Sequence, residues 1–266
     1  DAQGRLTAET DVLGNTTRTE YDAAGLPVTV TTADGRVTQT EYDPLGRPVS
    51  VTDASGRTTR YAWGVQSELL SLTDPKGGVK RFRYDHGGRL AEATDCSGHT
   101  TYYGYDERGH LSRITDAAGH ITLYNCDARG QVTGVTHPDG TEERFTWDGE
   151  GNLRTYRDGA RQITEYMFNA RRQPIWRKDA AGRELAYGYD RQWRLDTLTN
   201  ENRDQMRFSY DQLGRLAEQT DFDGGTTRYR WDDTGQLIGS QTGDTETSYA
   251  RDPLGRLTRR ELKGAS

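Results

Sequence analysis

Apolar and polar residues alternate along this chain in short runs. In Arg57-Thr58-Thr59-Arg60-Tyr61-Ala62-Trp63 the odd positions after the first carry Thr, Tyr and Trp, and the even ones Thr, Arg and Ala. As a strand this run presents one aromatic face and one polar face, since successive side chains point to opposite sides. His99, Thr101, Tyr103 and Tyr105 repeat the arrangement. No run has the 3.6-residue spacing of an amphipathic helix of useful length. The runs are separated by turn signals about ten residues apart, a spacing that predicts short antiparallel strands of roughly 20 Å. An Asp side chain bonds its own backbone two residues on, and Gly accepts the positive φ that other residues resist.

The alternation is periodic. Aromatic residues stand at Tyr21, Tyr42, Trp63, Tyr84, Tyr105, Trp147, Phe168, Tyr189, Tyr210 and Trp231, in steps of 21 except where Cys126 takes the aromatic's place. Asp22, Asp43, Asp85, Asp106, Asp127, Asp148, Asp190, Asp211 and Asp232 follow directly, and Gly25, Gly46, Gly88, Gly109, Gly130, Gly151, Gly214 and Gly235 close the same turns. A second Gly recurs at 35, 56, 77, 98, 119, 140, 182 and 224, and a second aromatic at Tyr61, Phe82, Tyr103, Tyr124, Phe145, Tyr166, Tyr187, Phe208 and Tyr229. Leucines such as Leu69, Leu90, Leu111 and Leu216 come six residues after the first aromatic; Leu26 comes five after. The unit is Tyr-Asp-x-x-Gly-Arg-Leu-x-x-x-Thr-Asp-x-x-Gly-x-x-Thr-x-Tyr-x. Residues 1–266 are expected to be a single array of about twelve such units. Both ends fall inside a unit, which suggests a piece of a longer array with unpaired strand edges. Stacked units would line up Tyr61, Phe82, Tyr103, Tyr124 and Phe145 in one row beside the Tyr/Trp row, each cross-strand pair contributing roughly 0.2–1 kcal/mol.

Composition narrows this picture. Leu, Ile, Val and Phe make up 40 of the 266 residues, about 15%, too few for a thick aliphatic core. The 15 Tyr and 5 Trp argue against a solvated coil, and the 35 Thr favour extended structure. Of the 35 basic residues 31 are Arg, but acids balance them to a net charge of −6, so no nucleic-acid domain is indicated. No apolar window is long enough to predict a membrane-spanning helix, and Asp1-Ala2-Gln3-Gly4-Arg5 does not resemble a signal peptide.

The unit resembles the YD repeat of the rearrangement-hot-spot (Rhs) proteins, the teneurins and the C component of insecticidal toxin complexes. Tyr42-Asp43-Pro44-Leu45-Gly46-Arg47 with Thr52-Asp53-Ala54-Ser55-Gly56 carries the match, as do Tyr210-Asp211-Gln212-Leu213-Gly214-Arg215-Leu216 and Tyr105-Asp106-Glu107-Arg108-Gly109-His110-Leu111. The resemblance covers essentially the whole chain. It implies an all-β fold in which hairpins form a curved, spiralling sheet, part of a hollow β-cocoon. It further implies a shell fragment that encloses a C-terminal toxin domain of the same polypeptide, completed by further shell repeats and plug domains. Cytoplasmic assembly is then followed by export through a bacterial secretion apparatus such as a type VI system, in interbacterial competition. The teneurin side of the family implies an alternative, a surface adhesion or carbohydrate-binding module. Bacterial members cut themselves at an Asp-Pro-x-Gly-Leu motif. Here Asp252-Pro253-Leu254-Gly255 is followed by Arg256, and Asp43-Pro44-Leu45-Gly46 by Arg47, so both are read as turns.

The candidate chemistry is sparse. His99 and His120 share a unit position 21 residues apart, which Arg36, Arg57 and Arg183 hold elsewhere, and no third ligand continues the series. His86, His110 and His137 belong to turns. The mid-unit carboxylates Asp53, Asp74, Asp95, Asp116, Asp158, Asp179 and Asp221 are expected to serve their own backbone rather than a cation ladder. Cys96 and Cys126 lie 30 residues apart, out of phase with the period, and are expected as separate thiols. Lys76-Gly77-Gly78 lacks the strand-to-helix setting of a phosphate loop. The sequence predicts no enzyme, catalytic residue, metal or cofactor; the residues singled out are those of the repeat.

Overall fold

The computed structural model describes residues 1–252 and 254–264. All regular structure among the described residues is β, in strands mostly of five or six residues. The chain divides into two compact units, Asp1–Leu123 and Tyr124–Ser266.

In the first unit each strand pairs antiparallel with its neighbours in sequence. Thr16–Tyr21 pairs with Pro27–Thr31, which pairs with Val37–Tyr42, and the meander continues through Leu111–Thr115. The second unit follows the same rule from Val132–Thr136 to Leu257–Lys263. Residues one period apart occupy equivalent rungs: Tyr61 lies opposite Leu72, Phe82 opposite Ala93, and Tyr103 opposite Ile114. In the second unit Phe145 lies opposite Tyr156, their rings stacked at 5.2 Å, and Tyr187 opposite Leu198.

Each hairpin closed by the aromatic-Asp turn contains a β-bulge at the first aromatic, between Glu20 and Tyr21, Ala62 and Trp63, Ser209 and Tyr210, and their equivalents. Alternation alone did not predict this bulge, because it inserts a residue opposite the aromatic without changing the unit length. A bulge re-aims a side chain, and here it turns the aromatic toward the preceding unit.

The turns at both ends of the strands share one geometry, apart from the two-residue turn Gly243-Asp244 between Thr242 and Thr245. The Gly46 N–H donates to the Asp43 carbonyl at 2.9 Å, and the Asp43 N–H to the Arg47 carbonyl at 2.9 Å; the Asp53–Arg57 turn has the same pair of bonds. This is a three-residue loop that ends in a left-handed residue. Gly46 has φ +78° and Gly56 φ +75°. Where the repeat lacks its glycine, the conformation persists: Ser67, Arg161, Arg172, Trp193 and Arg203 have φ between 61° and 69°. An L-residue held there costs roughly 1–2 kcal/mol. The turn at Asp252 keeps both backbone bonds; Pro253, expected at its second position, lies outside the described residues.

No hydrophobic residue among those described is fully buried. The aliphatic shortage is thus met by a sheet without an enclosed core, held together by its turns, rungs and ring contacts.

Candidate functional site

The first turn of the unit builds a link to the next unit where it ends in arginine, with Leu26, Glu68, His110, Gln131, Asn152, Gln173 and Gln236 holding that position elsewhere, and the link starts from the carboxylate. Asp43 Oδ1 accepts the Leu45 N–H at 2.9 Å and the Arg47 N–H at 3.0 Å, while Oδ2 accepts Arg47 Nε–H at 2.7 Å. The guanidinium is thereby aimed along the chain. It sits 5.8 Å from the centre of the Trp63 ring and donates through Nη1 to the Gly64 carbonyl at 2.9 Å. Arg5 lies over Tyr21, Arg89 over Tyr105, Arg194 over Tyr210 and Arg215 over Trp231, at 4.4–5.9 Å. The Arg47 guanidinium holds the Asp43 carboxyl below the ordinary carboxylate range, as Arg57 does for Asp53; for Asp211 the backbone N–H of Arg215 is the leading cause.

The aromatic completes the link. Tyr21 Oη–H donates to the Leu6 carbonyl at 2.7 Å, Tyr42 to Pro27 at 2.9 Å, Tyr84 to Leu69 at 3.0 Å and Tyr105 to Leu90 at 2.8 Å. Tyr189 reaches Pro174 and Tyr210 reaches Leu195, both at 2.7 Å. Trp63, Trp147 and Trp231 place indole Nε1–H on the equivalent carbonyls of Pro48, Val132 and Leu216, at 2.7–2.8 Å. Every one of these acceptors lies 15 residues back. Burial pushes the phenols of Tyr105, Tyr189 and Tyr210 up, which keeps them protonated as donors. Phe168 has no atom able to make this bond.

The remaining singled-out residues are used locally. His99, His110 and His120 face the Oδ2 atoms of Asp95, Asp106 and Asp116 across 3.3, 3.2 and 2.9 Å. They stand where other turns carry arginine, and His137 instead faces Glu143 across 2.9 Å. The Asp53 and Asp85 carboxylates are taken by their own loops and by Arg57 and Arg89. Asp22 accepts the Leu26 N–H. Leu26 therefore occupies the arginine position of its turn, and Pro27 the position leucine holds elsewhere. Among the described residues no three His, Cys, Asp or Glu side chains converge as metal ligands, and no disulfide joins Cys96 and Cys126. In the second unit a shallow concavity of about 560 Å³ is lined by Asp148, Arg154, Thr155, Glu165, Tyr166, Met167, Phe168 and Trp176, a mixed surface without a nucleophile beside a base.

Sequence reasoning recognised the repeat but missed the arginine and the aromatic donor as one device. The signal was present. Of the aromatics at the first position all but Phe168 are Tyr or Trp, with Cys126 replacing the ring in one further unit, whereas the second position alternates freely between Tyr and Phe. The first position needs a donor; the second needs only a ring.

The RHS Repeat family model matches residues 1–37, 42–79, 84–122, 127–162 and 210–246. No curated protein matches in sequence. Among solved structures, TcdB2-TccC3-TEV and TcdB2-TccC3 without its hypervariable C-terminal region each superpose over 98% of this chain with a TM-score of 0.76 at 19% identity. The Photorhabdus luminescens Tc holotoxin pore superposes over 96% with a TM-score of 0.60 at 16% identity. The chain spans 17–18% of those structures' chains. These likenesses establish the fold, and the matched segments cover well over half of the residues: the chain belongs to the RHS-repeat family.

Proposed function

We propose that this chain is a stretch of wall in a toxin-enclosing shell. The wall is completed by further repeats of the same polypeptide, and it shields a C-terminal toxin domain until delivery out of the producing bacterium. The carrying observation is the sheet without a core: about a dozen linked units, with no fully buried hydrophobic residue among those described. A solid globule of this length would bury many aliphatic side chains, whereas a wall needs only contacts between neighbouring units. The family membership and the fold shared with the TcdB2-TccC3 structures support the reading, and one of those structures is described as lacking a hypervariable C-terminal region. The repeat residues act here as structure and catalyse nothing. Delivery through a bacterial secretion apparatus, and use against competing bacteria, belong to the same proposal.

The test is protease protection in the parent polypeptide. The segment that follows the repeats should resist digestion while the wall is intact and become cleavable when several first-position aromatics are replaced by alanine. Equal cleavage of that segment with and without an intact wall would contradict enclosure.

A further inference from the structure

Within the second unit, two adjoining turns break the repeat's rules together. Asn169–Gln173 has Asn169 in place of the aspartate and Arg172 in place of the glycine; Asp190–Arg194 has Trp193 in place of the glycine. Arg172 and Trp193 are held at φ 61° and 64°. Left-handed backbone is unusual for any bulky residue and a genuine outlier for tryptophan. Backbone strain of this kind persists where the surroundings enforce it, and it gathers at functional surfaces.

The two turns touch. Gln173 Nε2–H donates to the Trp193 carbonyl at 2.8 Å, and the Arg171 guanidinium lies 4.1 Å from the centre of the Trp193 ring. The indole is not there to fill a core, since it is 46% exposed. The charge around it is one-sided. Arg171, Arg172 and Arg191 are exposed and form no ion pair among the described residues, while Arg194 is neutralised by Asp190 at 2.7 Å. Asn169 removes the carboxylate that other turns place at this point. The flanking carboxylates are Asp148, taken by the N–H groups and amide of its own turn, and Glu150 on the preceding turn, and on the following turn Asp211, which is tied to Arg215. A chain of net charge −6 thus presents a basic patch centred on an exposed tryptophan.

We propose that this Arg171–Arg172–Arg191–Trp193 knob is a docking site for an acidic protein segment. Tryptophan and arginine are the side chains most enriched among residues that dominate protein–protein binding, and an arginine fork matches a carboxylate. Uncompensated guanidinium groups around one apolar ring suit a segment that carries carboxylates beside an apolar side chain. Nucleic acid would be better served by a longer basic track with several stacking rings.

The experiment uses the whole chain and a fluorescein-labelled peptide rich in glutamate and leucine, with its glutamine counterpart, a single-stranded oligonucleotide and heparin as competing probes. Fluorescence anisotropy should show binding of the glutamate peptide and not of the glutamine peptide. Trp193→Gly combined with Arg172→Gly should weaken that binding about tenfold or more. Glycine is the residue the other turns use, so the same variant should unfold at an equal or higher temperature; lost binding then cannot be blamed on lost folding. Arg171→Glu with Arg191→Glu should abolish binding. No binding of the glutamate peptide, or undiminished binding by these variants, would overturn the proposal. Equal or tighter binding of the oligonucleotide or heparin through the same residues would also overturn it. None of these outcomes depends on whether the wall encloses a toxin.

Discussion

Two links in this molecule perform the same task with different atoms. In the first unit, Asp43 fixes Arg47, which covers the Trp63 ring and holds the Gly64 carbonyl, while Trp63 bonds the Pro48 carbonyl. In the second, Phe168 brings no donor, Asn169 no charge, and Arg172 no glycine; Gln173 spans to the next turn through its amide to the Trp193 carbonyl, Arg171 covers the Trp193 ring, and Tyr189 still bonds the Pro174 carbonyl. The strands on either side keep their register, bulge included. The fold therefore does not need every atom of the link in every unit. The backbone ladder of neighbouring hairpins tolerates a weak link between strong ones, as expected where stability sums over nearest-neighbour contacts.

Removing a whole ring should break the comparison most. Trp63→Ala loses the indole bond, the Arg47 stack and half-buried apolar area, and should lower stability by about 2–4 kcal/mol. Phe168→Ala should cost about 1 kcal/mol less, because no hydrogen bond is lost with it. Urea unfolding of both variants measures the difference; equal losses would mean that the rings contribute by area alone.

The turns give a contrast of opposite sign. At Gly56 nothing lies within 4 Å of the position a Cβ would take, so Gly56→Ala tests backbone conformation alone and should cost about 1 kcal/mol. Trp193→Gly relieves the same strain and should stabilise by about 1 kcal/mol, less whatever the Arg171 contact contributes. Thermal unfolding that ranked these two variants in the reverse order would show that the left-handed residues are not strained.

The smallest effect per turn is electrostatic. Asp43, Asp53 and Asp211 have folded-state pKa values lowered below the ordinary value, so they stabilise the fold above the unfolded carboxylate pKa, and that contribution is lost as pH falls through their folded values. Stability should therefore decline below about pH 4. Asp43→Asn, which copies the substitution nature made at Asn169, should flatten that decline slightly. An unchanged acid profile would show that the carboxylates titrate as free side chains.

Much of this architecture was legible in the sequence. The period of 21 and the two Asp-x-x-Gly turns survive in the structure, because each is a local rule repeated often enough to average out exceptions, whereas the second-row aromatics Tyr61, Phe82 and Tyr103 face Leu72, Ala93 and Ile114 across the rungs rather than one another. The bulge at Tyr21 and its equivalents was not legible, since it shifts partners between strands while leaving the spacing intact. The role of Arg47 and Arg215 was hidden for a related reason. Their ring partners lie 16 residues on, across a hairpin, where spacing names no contact. The Tyr-or-Trp restriction at the first aromatic was in plain view, yet it has meaning only once the carbonyl 15 residues back is seen to lie within reach of both a phenol and an indole.

That shared reach is the central claim, and Tyr105 tests it most directly. Its phenol donates to the Leu90 carbonyl at 2.8 Å. Tyr105→Trp and Tyr105→Phe should be compared by urea unfolding under identical conditions. If the unit is held by a donor on that carbonyl, the tryptophan variant stays close to the parent although its ring is larger, and the phenylalanine variant loses about 1 kcal/mol although its ring fits. A phenylalanine variant as stable as the parent, with the tryptophan variant destabilised, would show that ring size rather than the donated hydrogen bond joins one unit to the next.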